Sequence, residues 1–409
     1  MNTSLAPQAG AFDHLDHPSP EAIDRLRAAF QTERETDELL TRKLQRRSGP
    51  PYRRQTLAEL TQFLHAMLTH ELGSGFEISG QGWFTGGVSK IQMGFTLDWT
   101  DPVQGARRER LVVRMDPSES LNVTSRAREF ELIRLFEGRL PVPKVFWLDP
   151  DGRFFPEPAL IYAFAEGVTK PRQTATGKVS GLGTVFGERL RGLLAPQFMQ
   201  HLALIHTLDV SGGSFTSLDM PETGTSMAMR WQLDRARRIW EEDRGHDYPL
   251  LEVAVNWLER NLPVLDRVSV VHGDFRSGNF LFDESSGHIN AWLDWERGHL
   301  GDRHRDLAWL TQWPMGHFDE DGKTYYVCGL VALDRFYDEY QRISGLTVDA
   351  KRLAWWRILN ACQILVSTLA TNYRVARLGK SHQDILLTRV RGVAPSVALD
   401  LAHLLEEHA

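Results

Sequence analysis

The sequence predicts an α+β protein of two lobes, a small antiparallel sheet followed by a larger, mostly helical part. Runs rich in β-branched and aromatic residues cluster within residues 76–163, and helical periodicity dominates after that point. With 409 residues and 42% hydrophobic content, the chain is long enough to bury two cores. We predict three segments: a partly helical N-terminal extension over residues 1–70, a lobe built on the sheet over residues 71–163 and a mostly helical lobe over residues 164–409.

Composition narrows the possible partners. A net charge of −6 gives no general attraction to nucleic acid or to an anionic membrane, so neither is expected as a partner. The two cysteines, Cys328 and Cys362, lie in apolar runs, which favours a reducing compartment over a disulfide framework. The longest apolar stretch, residues 358–370, is too short to span a bilayer. We expect a soluble, cytoplasmic protein, and the sequence leaves its oligomeric state open.

One stretch of the N-terminal part is strongly basic. Residues 42–54 carry six basic residues and no acidic one. A solvated linker is favoured there, with an anion-binding patch as the alternative.

The densest group of polar residues follows three short apolar strands in the second lobe. His272 and Asp274 follow the first strand, Asn279 precedes the second, and Asp294 follows the third. Turn residues 283–287 predict that the last two strands form a hairpin, which brings Asn279 beside Asp294. Two carboxylates and one amide oxygen should therefore meet at one edge of a sheet.

Oxygen ligands of this kind suit Mg²⁺, which takes one or two from protein and the rest from phosphates and water. Asn279 and Asp294 are the candidate ligands, and Asp274 is the candidate base that receives a proton from a substrate hydroxyl. Kinase catalysis divides the roles in the same way, with a loop Asp, an Asn about five residues later and a second Asp further on. An ordinary hairpin with polar ends is the alternative, and the order of the successive motifs disfavours it.

The motifs HGDFRSGN, LDWE and GDRHRDLAW resemble those of the aminoglycoside phosphotransferase and choline kinase family, a small-molecule branch of the protein-kinase-like fold. The resemblance covers about residues 72–375 and implies a bilobal protein-kinase-like architecture. In that architecture residues 71–163 form a nucleotide-binding N-lobe, and residues 164–409 form a C-lobe with the catalytic loop and the acceptor-binding helices. It implies ATP as phosphoryl donor, with GTP as an alternative, Mg²⁺ as cofactor and a small-molecule hydroxyl as acceptor. It also implies that His272 orients the catalytic loop and that Asp306 braces it.

A glycine-rich turn ahead of these motifs is a candidate phosphate-binding loop. Backbone amides around Gly86 and Gly87 can approach phosphates closely, and Ser89 adds a hydroxyl donor. Alone the pattern is weak, since a glycine-rich hairpin is the more frequent structure. Lys90 departs from the small polar residue that the family places there.

Arg114 lies inside an apolar strand, where a buried cation needs an anionic partner. In the kinase scheme a strand cation holds the phosphates and a helix glutamate holds the cation. Glu129 is the preferred partner, Glu131 is the other candidate, and an Arg that faces solvent at the strand edge is the structural alternative. The resemblance further implies that backbone groups of Ala163 and Phe164 meet the adenine.

The charge of the predicted C-terminal helices indicates which class of acceptor the protein could bind. Residues 351–391 contain eight basic residues against Asp384 alone, which disfavours a polycationic aminoglycoside and favours a neutral, apolar or anionic acceptor. Equally, these charges could face solvent or a partner.

Two other functions stay open. One is a nucleotide-binding pseudokinase that acts through partner binding, and the other is a protein kinase, disfavoured because no Ala-Pro-Glu segment follows Asp294.

Overall fold

A computed structural model describes residues 12–50, 53–84, 90–118, 122–172, 184–320, 322–379 and 392–408. The helices within these ranges are α1 (Asp13–Asp16), α2 (Pro20–Ala29), α3 (Arg34–Gln45), α4 (Leu57–Leu72), α5 (Arg126–Phe136), α6 (Gly187–Thr207), α7 (Met227–Asp243), α8 (Pro249–Arg260), α9 (His304–Leu310), α10 (Leu333–Ser344), α11 (Ala350–Leu365), α12 (Asn372–Leu378) and α13 (Ala394–Glu407). The strands are β1 (Phe76–Trp83), β2 (Ile91–Asp101), β3 (Gly105–Met115), β4 (Val145–Asp149), β5 (Ala159–Ala163), β6 (Ser269–Val271), β7 (Phe280–Phe282), β8 (Ile289–Trp292), β9 (His299–Gly301), β10 (His317–Phe318), β11 (Tyr325–Val327) and β12 (Val331–Ala332).

The first lobe is a five-stranded antiparallel sheet in the order β1-β2-β3-β5-β4. Helix α4 begins at a capping box, in which Thr56 and Glu59 satisfy each other's backbone N–H groups. Its apolar face shares one core with β2 and β3, which includes Leu64, Phe95 and Leu111. The predicted antiparallel lobe is therefore present, and it is followed by the larger helical part.

Two further apolar cores lie beyond this one. The first joins α5 of the first lobe to α6, α10 and the β7–β8 hairpin of the second, and the other joins α7, α8, α11 and α13 within the second lobe. A π-helical segment (Val366–Thr371) separates α11 from α12. π-Helical turns are rare and are frequent at functional sites.

The basic N-terminal stretch is not a solvated linker. Arg47 is fully buried, and its guanidinium lies 2.7 Å from the Asp243 carboxylate at the end of α7. Lys43 lies 3.3 Å from the same carboxylate, and Arg374 of α12 approaches it to 3.1 Å. The sequence-based expectation is wrong here because the counter-ion lies about 200 residues away in the chain, where no local pattern reveals it.

This ion cluster should be essential for stability. Burial alone would raise the pKa of Asp243, but Arg374, Lys43 and Arg47 hold that pKa well below its usual value. We expect Asp243→Ala to lower the free energy of unfolding at pH 7 by about 3–5 kcal/mol, because buried cations lose their counter-ion. Urea unfolding followed by tryptophan fluorescence measures the change.

Asp24→Ala is the control, since Asp24 is exposed and lies 3.9 Å from Arg27. Its effect should stay within about 0.5 kcal/mol. The difference in the free energy of unfolding between the wild type and Asp243→Ala should shrink as the pH falls below about 4. A carboxylate whose pKa is depressed in the folded state stabilises the fold fully only above the pKa that it has in the unfolded chain. An Asp243→Ala effect as small as that of the control would contradict a stabilising cluster.

Candidate active site

The β7–β8 hairpin brings the predicted oxygen-bearing side chains together. The two strands pair antiparallel, with Phe280 opposite Trp292. The Leu293 N–H donates to the Asn279 carbonyl at 2.8 Å, which sets Asn279 beside Asp294. The loop that carries Asp274 ends at Asn279, so all three side chains lie at the same end of the hairpin, as the turn pattern predicted.

The Asp274 carboxylate is held by three side-chain donors. The Trp309 indole N–H donates to Oδ1 at 2.8 Å, and the Asn279 amide donates to Oδ2 at 2.8 Å. The Arg276 Nε lies 3.2 Å from Oδ1 and 3.4 Å from Oδ2. A carboxylate offers about four lone-pair sites, so roughly one direction stays open for a further donor. The carboxylate can therefore receive one hydroxyl in a fixed orientation.

The Asn279 side chain is oriented so that its oxygen is available. Its amide nitrogen donates to the Asp274 carbonyl at 2.7 Å as well as to the Asp274 carboxylate. Among the described residues, no donor reaches its amide oxygen. That oxygen and the Asp294 carboxylate fit the one or two protein ligands that Mg²⁺ uses beside substrate phosphates. In the described part of the chain, no group of three or more His, Cys, Asp or Glu side chains is arranged so that it could hold a metal ion.

Asp294 has a left-handed backbone conformation, with φ of 66° and ψ of 48°. Cys328 is the other non-glycine residue with positive φ in the described ranges. Short polar side chains tolerate this conformation best, and such strain clusters at functional sites. Burial and the neighbouring carboxylates of Glu296 and Asp274 raise the pKa of Asp294 to about 6, against the opposing effect of Arg114.

The backbone of the catalytic loop is held by Asp306 at the start of α9. Its two carboxylate oxygens accept the N–H groups of His272 and Gly273, each at 2.8 Å. The His206 ring lies 3.3 Å from the same carboxylate and 2.9 Å from the Tyr340 hydroxyl. Asp306 therefore links the loop to helices α6 and α10, in the bracing position that the resemblance implied.

His272 lies within the loop as a hydrogen-bonding residue. Its Nε2 is 3.2 Å from the Leu293 carbonyl, and its Nδ1 accepts the Asp274 N–H at 3.3 Å. Burial lowers the pKa of His272, with Asp306 and Asp274 opposing the shift, so the ring is neutral at pH 7. The geometry suits a side chain that orients the loop.

Arg114 is buried in a network of carboxylates rather than facing solvent. Its guanidinium lies 3.3 Å from Glu129 on α5 and 2.8 Å from Glu296, and it also contacts Asp294. Arg126 contacts Glu129 and lies 3.3 Å from Glu296. The predicted pair of Arg114 and Glu129 is thus present, but it is shared with Glu296 of the LDWE motif. Glu131 instead binds Thr216 and Ser217.

Lys90 belongs to the same network. It is buried, and its ammonium lies 2.9 Å from Asp116, 3.4 Å from Glu296 and 2.6 Å from the Thr124 hydroxyl. This explains the departure from a small polar residue, since Lys90 serves as a counter-ion to two buried carboxylates. The predicted phosphate-loop residues Gly86, Gly87 and Ser89 lie outside the described residues.

The predicted adenine-binding segment follows β5. The N–H groups of Ala163 and Phe164 both donate to backbone carbonyls inside the protein, at 2.8 and 2.9 Å. The N–H groups of Ala165 and Glu166 have no acceptor among the residues that the structure describes. The Phe164 ring stacks on Phe84, with ring centroids 5.6 Å apart. Amide donors for a ligand are therefore available two and three residues after Ala163, and not at Ala163 or Phe164 themselves.

Three of the five basic C-terminal residues that the structure describes are paired with distant carboxylates. Arg374 lies 3.1 Å from Asp243, Arg377 lies 2.6 Å from Asp16, and Arg352 lies 2.5 Å from Asp266. Lys380, Arg389 and Arg391 lie outside the described residues. The count within the local sequence overstated the positive charge, so it no longer argues against an aminoglycoside.

Sequence reasoning missed several residues at the centre of the site. Arg276 follows Asp274 by two positions, and Glu296 follows Asp294 by two. Their closeness in sequence to predicted site residues is a signal that could have identified both as members of the site. Trp309 lies one helical turn after Asp306, on the same face of α9. That spacing predicts that both residues contact the same loop once the role of Asp306 is accepted.

We expect Asp306→Asn to loosen the catalytic loop selectively. The amide supplies one acceptor in place of two, so one buried N–H loses its partner, at a cost of about 1–3 kcal/mol. Hydrogen–deuterium exchange of the loop amides should accelerate on the order of 10-fold or more. Asp302→Asn is the control, because Asp302 is equally buried but bonds to His304 and Trp356. Equal acceleration in both variants would contradict a specific brace.

Three comparisons place the chain among known proteins. A family model described as the phosphotransferase enzyme family matches residues 102–355. Acyl-CoA dehydrogenase family member 10 of Mus musculus is 28% identical over 203 residues, which covers 49% of this chain and 18% of that protein. The probable acyl-CoA dehydrogenase IBR3 of Arabidopsis thaliana is 27% identical over 264 residues, which covers 59% of this chain and 30% of that protein. The chain therefore spans less than a third of the length of these relatives.

Solved structures show the same fold. A "putative aminoglycoside phosphotransferase" of Ralstonia eutropha aligns with a TM-score of 0.60 at 18% identity, covering 85% of this chain and 98% of that one. An ethanolamine kinase of Plasmodium vivax aligns with a TM-score of 0.50 at 12% identity, covering 91% of this chain and 96% of that one. The predicted bilobal protein-kinase-like fold is confirmed. Over the described ranges, no helix is long and apolar enough to cross a bilayer.

Proposed function

The chain belongs to the phosphotransferase enzyme family, and we propose that it transfers the γ-phosphoryl group of ATP to a hydroxyl group of a small-molecule acceptor. The resemblance drawn from its motifs is confirmed by the family match. The proposal rests chiefly on the Asp274 carboxylate, which three donors hold so that one direction stays open beside Asn279 and Asp294. GTP remains the alternative donor.

In the proposed reaction Asp274 receives the acceptor hydroxyl. Its open lone pair accepts the hydroxyl hydrogen bond and aligns the oxygen with the phosphorus. As the new oxygen–phosphorus bond forms and the bond to the nucleotide breaks, the hydroxyl proton passes to Asp274 and ADP leaves. Phosphoryl transfer of this kind depends mainly on positioning and on stabilisation of charge.

The cations of the site stabilise the charge that the phosphoryl group carries. Mg²⁺ held by Asn279 and Asp294 would supply charge neutralisation on the phosphate oxygens. Arg114 is proposed to bind the phosphates of the nucleotide, and Glu129 and Glu296 keep its guanidinium in place. Arg276, beside Asp274, is positioned to stabilise charge on the group in transfer.

For the acceptor we propose a hydroxyacyl thioester. The relatives that contain a region similar to this chain are named as acyl-CoA dehydrogenases and are far longer than the match. A kinase region joined to such an enzyme is best explained if both act on related acyl compounds. A pseudokinase is the second candidate, but an intact set of Asp274, Asn279 and Asp294 argues against it.

An ADP-release screen tests both proposals. The panel contains hydroxyacyl-CoA thioesters, aminoglycosides, macrolides, choline-type amines and sugars, each with ATP and Mg²⁺. We expect turnover with a hydroxyacyl thioester, and we expect Asp274→Asn to reduce it on the order of 10²-fold or more, with nucleotide affinity nearly unchanged. Nucleotide binding without turnover of any acceptor would favour the pseudokinase, and activity confined to aminoglycosides would refute the thioester proposal.

Trp309→Phe tests the orientation of Asp274. The substitution removes one hydrogen bond to a carboxylate and keeps an aromatic ring in place, so kcat should fall about 10-fold while the KM for ATP stays within about twofold. Trp313→Phe is the control, because Trp313 is 46% exposed and lies outside this contact. Equal kcat in the wild type and in Trp309→Phe would show that the indole hydrogen bond is dispensable.

A further inference from the structure

A second group of cations lies beside the catalytic loop and takes no part in the proposed reaction. Arg235 of α7 and Arg297, which follows the LDWE motif, line one cavity together with Lys43, Asp243 and Arg374. Arg305 of α9 lies behind them, with its Nη2 3.4 Å from the Gln363 side-chain oxygen on the cavity wall. Arg305 is fully buried, and Arg235 and Arg297 are partly exposed. Three guanidinium groups thus lie at or next to this cavity.

The cavity is small, and its lining mixes charged and polar side chains with apolar ones. Its volume is about 30 Å³, and a single water needs about 10–15 Å³ on this measure, so two or three waters would fill it. Val366, Ser367 and Thr371 of the π-helical segment form one wall. The site is therefore large enough for one compact ionic group and too small for a bulky organic body.

The carboxylates near the cavity are already engaged. Glu33 is buried against Arg128 at 2.7 Å, and Asp243 is shared among Arg47, Lys43 and Arg374. Asp306 accepts the amides of the catalytic loop. Within the described ranges, no ion pair reaches Arg235, Arg297 or Arg305. Arg235 donates only to the Val123 carbonyl, at 3.3 Å, and Arg297 packs over the Trp309 ring.

Several buried donors at this point also lack an acceptor among the described residues. They are the Nε of Arg297, the Nε and Nη1 of Arg305 and the Nε2 of Gln363. Burial and repulsion by Arg297 lower the pKa of Arg305 to about 9 and that of Arg235 to about 10. Uncompensated charge of this amount is costly in a protein interior. Native proteins pair such groups, so an anion is the missing component.

We propose that this cavity, lined by Arg235 and Arg297 and backed by Arg305, binds a phosphate-type oxyanion. A tetrahedral oxyanion accepts from several sides at once, which matches guanidinium groups that converge from three different elements. The unpaired Gln363 amide N–H group supplies a further donor. A carboxylate has only one plane of acceptors and would leave part of this set unsatisfied.

The site is joined directly to the catalytic loop. Gly273 has a φ of 78°, and a β-carbon at that position would collide with Arg305 and with the backbone of Arg297. Arg297 also covers the ring of Trp309, whose indole N–H holds Asp274. An anion bound here neutralises the charge immediately behind Asp274 and fixes the side chains that pack on it.

Thermal unfolding of the full chain tests binding. Phosphate should raise the wild-type midpoint by about 2 °C or more relative to chloride at equal ionic strength, since a ligand that binds only the native state stabilises it. Arg235→Met should abolish this rise. Without phosphate, the same variant should be at least as stable as the wild type, because it removes one of three mutually repelling cations.

Two matched variants separate this site from others. Arg237→Met changes a neighbouring arginine of α7 that pairs with Asp234 and Glu259, and it should keep the phosphate response. Arg114→Met should keep it too, which distinguishes the cavity from the nucleotide site. If phosphate and chloride act alike on the wild type, or if Arg235→Met responds as Arg237→Met does, the proposal is overturned.

The oxyanion has two possible sources, and kinetics distinguish them. If it belongs to the acceptor, inorganic phosphate should compete with that acceptor, and Arg235→Met should raise the acceptor KM several-fold at constant ATP KM. If it is a free ion, phosphate should alter kcat without competition. This step alone rests on the proposed function. A wild type that is inactive toward every acceptor but stabilised by phosphate through Arg235 would refute that function and still support the oxyanion site.

Discussion

Two hydrogen bonds that the Asp306 carboxylate accepts from the backbone N–H groups of His272 and Gly273 set the geometry on which the site depends. The loop between β6 and β7 has no regular secondary structure to fix it, and its amides would otherwise need other acceptors. The buried Asp306 carboxylate accepts both amide N–H groups. His206 of α6 contacts that carboxylate and also the Tyr340 hydroxyl of α10, so the two helices hold it in place. The packing of α6, α9 and α10 against one another therefore determines the orientation of Asp274.

Helix α9, which carries Asp306, also fixes the Asp274 side chain. Asp306 and Trp309 lie one turn apart on α9, so one face of the helix contacts both the loop backbone and the Asp274 carboxylate. At the other end of the loop, the Asn279 side-chain amide donates to the Asp274 carboxylate. The arrangement leaves Asp274 few rotamers, which is the form of preorganisation that phosphoryl transfer requires.

Local patterns predicted the parts of the fold that local sequence determines. The turn residues between β7 and β8 fixed the hairpin and with it the proximity of Asn279 and Asp294, and the apolar runs located the antiparallel lobe. Charge pairing was not predictable in this way. Arg47 and Asp243 are 196 residues apart, and Arg114 and Glu296 are 182 apart, so composition within a window misjudged both the basic N-terminal stretch and the basic C-terminal helices.

The buried charges divide into two groups with opposite balance. In the network around Arg114, the three cations Lys90, Arg114 and Arg126 face four carboxylates, Asp116, Glu129, Asp294 and Glu296. Behind the catalytic loop the balance is reversed, since the described carboxylates are engaged elsewhere and three guanidinium groups remain unpaired. An excess of carboxylates suits a metal cation, and an excess of guanidinium groups suits an oxyanion. The described residues therefore carry net negative charge in the network around Arg114 and net positive charge behind the catalytic loop, and ligands of opposite sign would offset the excess in each group.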